Sequence, residues 1–393
     1  MFPTLYHFLK DIFGIELRFL EVVNTFGLFV AISIAAAYWA FQTEFARKTK
    51  LGLFPSKTVT EIIGKPFPIS EYAIGGVMSF LFGYKIIYLM VNAGSNFAPQ
   101  EHIFTSEGSV LFGMLALALS LGSKYFADKK QQLAAPKEVS HTVSIADEMG
   151  NITTVALLSG FLGAKVFHLL ETPSQIHLST FIQDIFTTGG WTFYGGLICG
   201  AAGVLIYTTK KGYDWKNVID AGAPGMMLSY GIGRFGCHFS GDGDWGIANV
   251  TPSSFLPDWA WAYKYPHNVL GKDYPGMGME PIPGCSGDYC YQLSTPVFPT
   301  PLYEAIMALS LFAVLWFVMR NKNFISGQLF SIYMIFAGVE RFAIETIREH
   351  GDSLYRFAGM IFSQAQMISL ILIVLGSCGF FLFKKGSPKT SEN

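Results

Sequence analysis

Apolar and polar positions alternate along the chain in nine apolar stretches separated by polar connections: 22–41, 72–91, 110–126, 152–170, 191–208, 218–239, 302–319, 329–347 and 361–383. Each is long enough, or nearly so, to cross about 30 Å of hydrocarbon as a helix. The third is short, and the sixth is interrupted by Pro224 and several glycines. The pattern predicts an all-α, polytopic membrane protein with about nine transmembrane helices.

Composition points the same way. The 393 residues are 51% hydrophobic and only 14% charged, whereas soluble domains carry about 25% charged residues. Basic residues are unevenly shared between the connections. One set holds Arg47, Lys48, Lys50, Lys57 and Lys65, then Lys124, Lys129, Lys130 and Lys137, then Lys210, Lys211 and Lys216, then Arg320 and Lys322, then Lys384, Lys385 and Lys389. In the opposite set, 92–107 and 171–190 have none, and 241–300 has only Lys264 and Lys272. Lysine and arginine gather on the cytoplasmic side, which predicts an external N-terminus and a cytoplasmic C-terminus. The first apolar stretch exceeds a signal-peptide core and lacks a basic leader, so a retained helix is expected. A net charge of −1 and the lack of a basic patch interleaved with aromatics give no sign of nucleic-acid binding.

A repeat is visible inside the chain. Phe82-Gly-Tyr-Lys-Ile-Ile-Tyr-Leu89 parallels Leu162-Gly-Ala-Lys-Val-Phe-His-Leu169, and the glycine, aromatic and lysine placement of 108–130 recurs in 189–211. Duplication of one helical hairpin explains this, with an extra hairpin within residues 60–140. Such an insertion leaves the topology of everything after it unchanged. The long external segment 241–300 is rich in Pro, Gly, Trp and Tyr, which suits an arm or lid with its rings at the membrane interface. Its Cys285 and Cys290 either pair in an oxidising compartment or stay reduced.

Arginines at membrane depth carry the chemistry. Arg234 opens the run Gly233-Arg-Phe-Gly-Cys-His-Phe-Ser-Gly-Asp-Gly-Asp-Trp-Gly246 inside an apolar stretch, and Arg341 and Arg348 recur in a later one. A guanidinium at a helix centre costs roughly 3 kcal/mol to insert and keeps its charge, so it needs an anion or a wet cavity. An anionic phospholipid head group is the simplest partner.

These residues also resemble the prolipoprotein diacylglyceryl transferase family. The Gly233-Arg-Phe-Gly run, with an acid eight residues after the arginine and then Gly246, looks like that family's signature. Phe193-Tyr-Gly-Gly-Leu-Ile198, Pro299-Thr-Pro-Leu-Tyr-Glu304 and Gly338-Val-Glu-Arg-Phe-Ala-Ile-Glu345 resemble three further motifs, in order. The resemblance implies transfer of diacylglyceryl from phosphatidylglycerol to the lipobox cysteine thiol of a prolipoprotein in the bacterial cytoplasmic (inner) membrane, with release of glycerol phosphate. Its partners would be phosphatidylglycerol, lipobox peptides and membrane lipids. No metal or cofactor is expected, since the phosphate leaves readily once its charge is held.

Within that scheme Arg234 and Arg341 clamp the phosphate, and Tyr194 or a nearby water assists thiol deprotonation. Asp242, Glu304 and Glu345 orient the arginines, while Lys165, Cys237 and Gly246 complete the binding set. Plainer roles stand beside these. Arg341 and Glu345 are spaced for a helical ion pair, Glu304 for the positive end of a helix, and Lys165 for pairing with an acid such as Asp242. Arg348 is expected to snorkel to the outer interface. The chain departs from the family pattern at Cys237, Asp242, Ser240, Ala337 and Phe26, which leaves open a related enzyme with another acceptor or a silent lipid-binding or transport protein. Cys237 and His238 adjoin, so they face different ways and match no zinc spacing.

Overall fold

The computed structural model describes the chain apart from residues 93–101, 103–104, 134, 172–191, 252, 254, 272–277, 350–353, 358–359 and 386–393. Its helices are α1 Leu5–Phe13, α2 Thr25–Lys50, α3 Ile69–Asn92, α4 Val110–Gln131, α5 Met149–Glu171, α6 Phe193–Lys210, α7 Trp215–Ser240, α8 Thr300–Met319, α9 Gln328–Glu345 and α10 Gln364–Lys385. Three short antiparallel pairs accompany them: β1 Lys57–Ile63 with β2 Lys137–Val143, β3 Met279–Pro281 with β4 Tyr291–Leu293, and β5 Leu354–Phe357 with β6 Met360–Ser363. Among the described residues, each apolar stretch overlaps a helix over most of its length, although 361–363 lie in β6. Among the described residues, six of these are long and apolar enough to cross a membrane: α2, α3, α4, α5, α8 and α10. Their exposed faces carry large apolar side chains, such as Ile69 and Leu119, as lipid contact requires. The protein is an all-α polytopic membrane protein.

Two compact units divide the chain. Unit 1 comprises residues 1–8, 23–54 and 208–393; unit 2 comprises 9–22 and 55–207. In unit 1, α7 is the central and most buried helix, packing on α2, α8 and α9. Asp214 caps its N-terminus by accepting from the Asn217 amide at 3.2 Å, and Gly241 ends it in the left-handed conformation, φ 66°, where glycine carries no steric cost. Contrary to the expected interruption, the helix runs unbroken through Pro224. Gly222 and Gly225 seat the Phe41 ring of α2, since a Cβ at either would lie 2.8 or 2.6 Å from it. Such small-residue contacts are how membrane helices gain close packing. Gly338 of α9 and Gly376 of α10 do the same, each facing a backbone carbonyl of the other helix.

Buried charges lock one end of unit 1. Asp220 accepts from the amides of Gly327 and Phe330 at 2.8 Å each, capping α9, and Lys48 lies 3.5 Å from it. Glu44, fully buried, binds Arg47 and Arg320, both at 2.8 Å. These pairs carry α2 well past the expected end of its stretch at residue 41, because a paired charge enters the interior at far lower cost than a lone one.

In unit 2, α3 pairs with α4 and β1 with β2. The third stretch, short by apolarity, extends to 22 residues in α4 because Lys124, Lys129 and Lys130 continue the helix. Two long-range backbone bonds resemble each other in this unit. The Ser109 amide donates to the Tyr84 carbonyl at 2.9 Å, and the Thr192 amide to the Ala164 carbonyl at 3.1 Å. Gly83 and Gly163 each meet the second helix of their hairpin so closely that a Cβ would fall 2.3 Å from it.

Candidate functional site

Four segments of unit 1 converge at the C-terminal end of α7: the turn after α7, the start of α8, the end of α9 and the strand-like link after α9. Gly241 and Gly243, with φ of 66° and 101°, turn the chain back so that Asp244 faces α7. The Thr300 hydroxyl, at the head of α8, donates to the Asp244 carbonyl at 2.9 Å. An isolated bridge joins Gly246 to Arg348, and the Ile247 amide donates to the Ile347 carbonyl at 2.9 Å. These bonds fix the loop carrying Asp244 against the link carrying Arg348.

Glu304 is the hub. It is fully buried, yet three guanidiniums reach it: Arg234 through Nε, Arg341 through Nη1 at 3.1 Å and Arg348 through Nη1 at 3.3 Å. The Tyr230 hydroxyl donates at 3.3 Å to Oε2, the oxygen that Arg234 also contacts, while Arg341 and Arg348 share Oε1. Asp244 forms the second hub, binding Arg234 Nη1 and Arg348 Nη2. Arg341 also pairs with Glu345 at 2.8 Å, and the Ser363 hydroxyl holds Glu345 from behind at 2.9 Å. Arg234 lies 5.3 Å from the Tyr230 ring centroid. Three planar cations are thus held close together by shared carboxylates, in a setting where an oxyanion can be gripped by forked donors.

The geometry changes several expectations. Arg348 does not snorkel away; it bridges Glu304 and Asp244 because α9 ends at Glu345 and the bridge to Gly246 fastens its backbone beside the loop that carries Asp244. Glu304 serves the arginines rather than the helix terminus alone. Asp244, not Asp242, takes the guanidiniums: the left-handed turn at Gly241 points Asp242 back toward the Cys237 thiol. Burial pushes the Asp242 carboxyl up, aided by Asp244. For Asp244 burial acts the same way, but Arg234 and Arg348 outweigh it and hold the carboxyl below its ordinary 3.8. Its contribution to stability is therefore complete above that value and is lost only as pH falls below it.

Cys237 lies 3.9 Å from Arg234 Nη1, while His238 turns the other way, to the Tyr265 hydroxyl at 3.3 Å. Ligand atoms of Cys237, Asp242 and Asp244 lie within 4.8 Å of one another. A cation there would compete with the two guanidiniums already bound to Asp244. Lys165, almost fully buried on α5, and Tyr194, 38% exposed on α6, belong to unit 2. Tyr230 and Glu340 were missed by sequence reasoning; Tyr230 stands one turn before Arg234, a spacing that could have found it.

The described residues of 241–300 include a small packed core. Trp245, Tyr265, Leu293 and Val297 form it, and Cys285 and Cys290 are joined as a disulfide beside the β3–β4 pair. Tyr265, expected at the membrane interface, has its ring in this core, whereas Trp259 is exposed. An apolar pocket lined by Leu5, Phe8, Leu28, Phe29, Ile32 and Phe239 opens alongside α7.

Gly246 is sterically required. A Cβ there would lie 2.5 Å from the Ile347 carbonyl oxygen and 2.9 Å from Phe298 and Thr300 side-chain atoms. Gly246→Ala should prise apart the Asp244 and Arg348 segments at a cost of about 1–3 kcal/mol. The check is a lowered thermal midpoint of the detergent-solubilised variant together with reduced activity.

A family model described as prolipoprotein diacylglyceryl transferase matches residues 125–382. A phosphatidylglycerol--prolipoprotein diacylglyceryl transferase of Leptospira interrogans is 25% identical over 292 residues, covering 63% of this chain and 83% of that protein. One from Clostridium tetani is 26% identical over 279 residues, covering 70% and 94%, and one from Clostridium perfringens is 28% identical over 254 residues, covering 63% and 83%.

Proposed function

Since the chain belongs to the prolipoprotein diacylglyceryl transferase family, we propose that it transfers diacylglyceryl from phosphatidylglycerol to a lipobox cysteine thiol, releasing glycerol phosphate. The observation that carries this reading is the convergence of Arg234, Arg341 and Arg348 on Glu304 and Asp244. Three guanidiniums supply forked donors to the phosphodiester, and they stabilise the charge that builds on it as the carbon–oxygen bond breaks. The carboxylates hold those donors in place before the lipid arrives, so little reorganisation is needed at the moment of reaction. The thiol sulfur attacks the terminal glycerol carbon of the diacylglyceryl moiety. The carbon–oxygen electron pair stays with the phosphate, and the thiol proton is carried away.

The apolar pocket alongside α7 suits an acyl chain: its Phe239 lies five residues past Arg234, about 7.5 Å along the helix. The chain is read with nine crossings in a bacterial inner membrane, its N-terminus outside and its C-terminus in the cytoplasm. The hairpin within 60–140 is read as the inserted copy. Lys165 and Tyr194 are retained as substrate-side candidates on their sequence positions. Expression in bacteria depleted of their own transferase tests the reading. Growth should return with the wild-type chain and fail with Arg234→Gln. Failure of a well-inserted wild-type chain would favour another acceptor or a silent lipid-binding role.

A further inference from the structure

One buried acid in this cluster has no role in the ion pairs. Glu340 sits on α9, is only 5% exposed, and its Oε1 is buried with no hydrogen-bond partner among the described residues. A buried polar atom left without a partner costs roughly 1–3 kcal/mol and calls for an explanation. Around it stand Tyr230 and Arg234 of α7, Glu304 of α8, and Tyr333 and Arg341 of its own helix. The described side chains of α10, which also packs on α9, include no charged residue.

Charge tells what Glu340 is free to do. The cations Arg234, Arg341 and Arg348 are matched one for one in ion pairs by Asp244, Glu304 and Glu345, and Asp242 beside Asp244 already adds a fourth acid. An ionised Glu340 would add an unmatched anion, and a phosphodiester arriving at the arginines would add another. Like charges gathered in one site favour uptake of a proton. Arrival of the anionic lipid therefore makes Glu340 a stronger proton acceptor at the moment a thiol must be deprotonated.

Resting on the transferase reading above, we propose that Glu340 is the proton acceptor of the transfer step. Its carboxylate takes the proton of the acceptor thiol as sulfur bonds to the glycerol carbon. The carbon–oxygen bond to phosphate breaks, its electron pair stays on the departing glycerol phosphate, and Glu340 then yields the proton to that phosphate. Charge and atoms balance without an outside reagent.

The test uses full-length protein in detergent with phosphatidylglycerol and a lipobox peptide, and follows transfer by mass spectrometry from pH 6 to pH 9.5. Glu340→Gln keeps the size and neutral form of the side chain. Its kcat should fall about 10²–10³-fold at neutral pH with little change in KM for the lipid. The deficit should shrink above about pH 8.5, where the peptide thiol ionises unaided. Glu340→Asp, which keeps the acid, should retain at least about a tenth of the wild-type rate. A Glu340→Gln enzyme with the wild-type rate, or a deficit constant across pH, would overturn the proposal while leaving the transferase reading intact. A folded wild-type protein that leaves the peptide thiol unmodified would overturn both.

Discussion

Replacing Arg234 with lysine should lower the transfer rate about 10³-fold while leaving the protein folded. Arg234 meets Glu304 through Nε and Asp244 through Nη1, which leaves Nη2 open to a ligand among the described residues. Lysine keeps the charge but presents a single point donor, so it has no means of holding two carboxylates and a phosphate oxygen together. Loss of one preorganised donor at a developing oxyanion costs about 10²–10³ in rate, and displacement of its neighbours adds to that. The fold should survive because Glu304 still binds Arg341 and Arg348, and Asp244 still binds Arg348. Steady-state rates at saturating phosphatidylglycerol, beside a thermal midpoint, check both halves of the statement. Arg234→Gln should behave alike, since it too removes the fork.

The second large effect belongs to Glu304. Glu304→Gln keeps the shape but removes the charge that three guanidiniums share, and it turns an amide donor toward them. Breaking a buried ion pair from one side typically costs about 3–5 kcal/mol, because the remaining charge is left uncompensated. The thermal midpoint should therefore fall by on the order of 10 °C, with activity lost as the arginines splay. The sign of the charge imbalance gives a further check. Inorganic phosphate should stabilise the variant more than the wild type, since an anion bound to the folded state supplies what the glutamate no longer does. A variant with an unchanged midpoint and no response to phosphate would remove Glu304 from the centre of the cluster.

The fold was largely legible from apolar stretches, because a segment that must satisfy its own backbone in lipid has few alternatives to a helix. The limits of that reading are instructive. Hydropathy ended the first stretch near residue 41, yet α2 continues to Lys50 because Glu44 and Lys48 are buried in ion pairs with residues far away in sequence. The β1–β2 pair joins segments eighty residues apart, and α1 is short and amphipathic; neither leaves a periodic signal long enough to stand out. At the site, Arg234, Arg341 and Glu304 stood out as charges in apolar surroundings. Asp244 was confused with Asp242 because the choice between them depends on two glycines in left-handed conformation, which composition does not reveal. For Arg348, snorkelling and ion pairing look alike in sequence; the bridge from Gly246 that fastens its backbone separates them. Glu340 adjoins Arg341 in sequence and so was hidden by it.

The central claim is that three guanidiniums grip the phosphate of an anionic glycerolipid and let it leave. The most direct measurement is intact-mass spectrometry of a lipobox peptide incubated with purified protein and phosphatidylglycerol, with released glycerol phosphate assayed in parallel. The account predicts a diacylglyceryl thioether on the peptide cysteine, one glycerol phosphate per adduct, and loss of both with Arg234→Gln. An unmodified peptide in the presence of folded wild-type protein, or equal adduct formation by the Arg234→Gln variant, would contradict it.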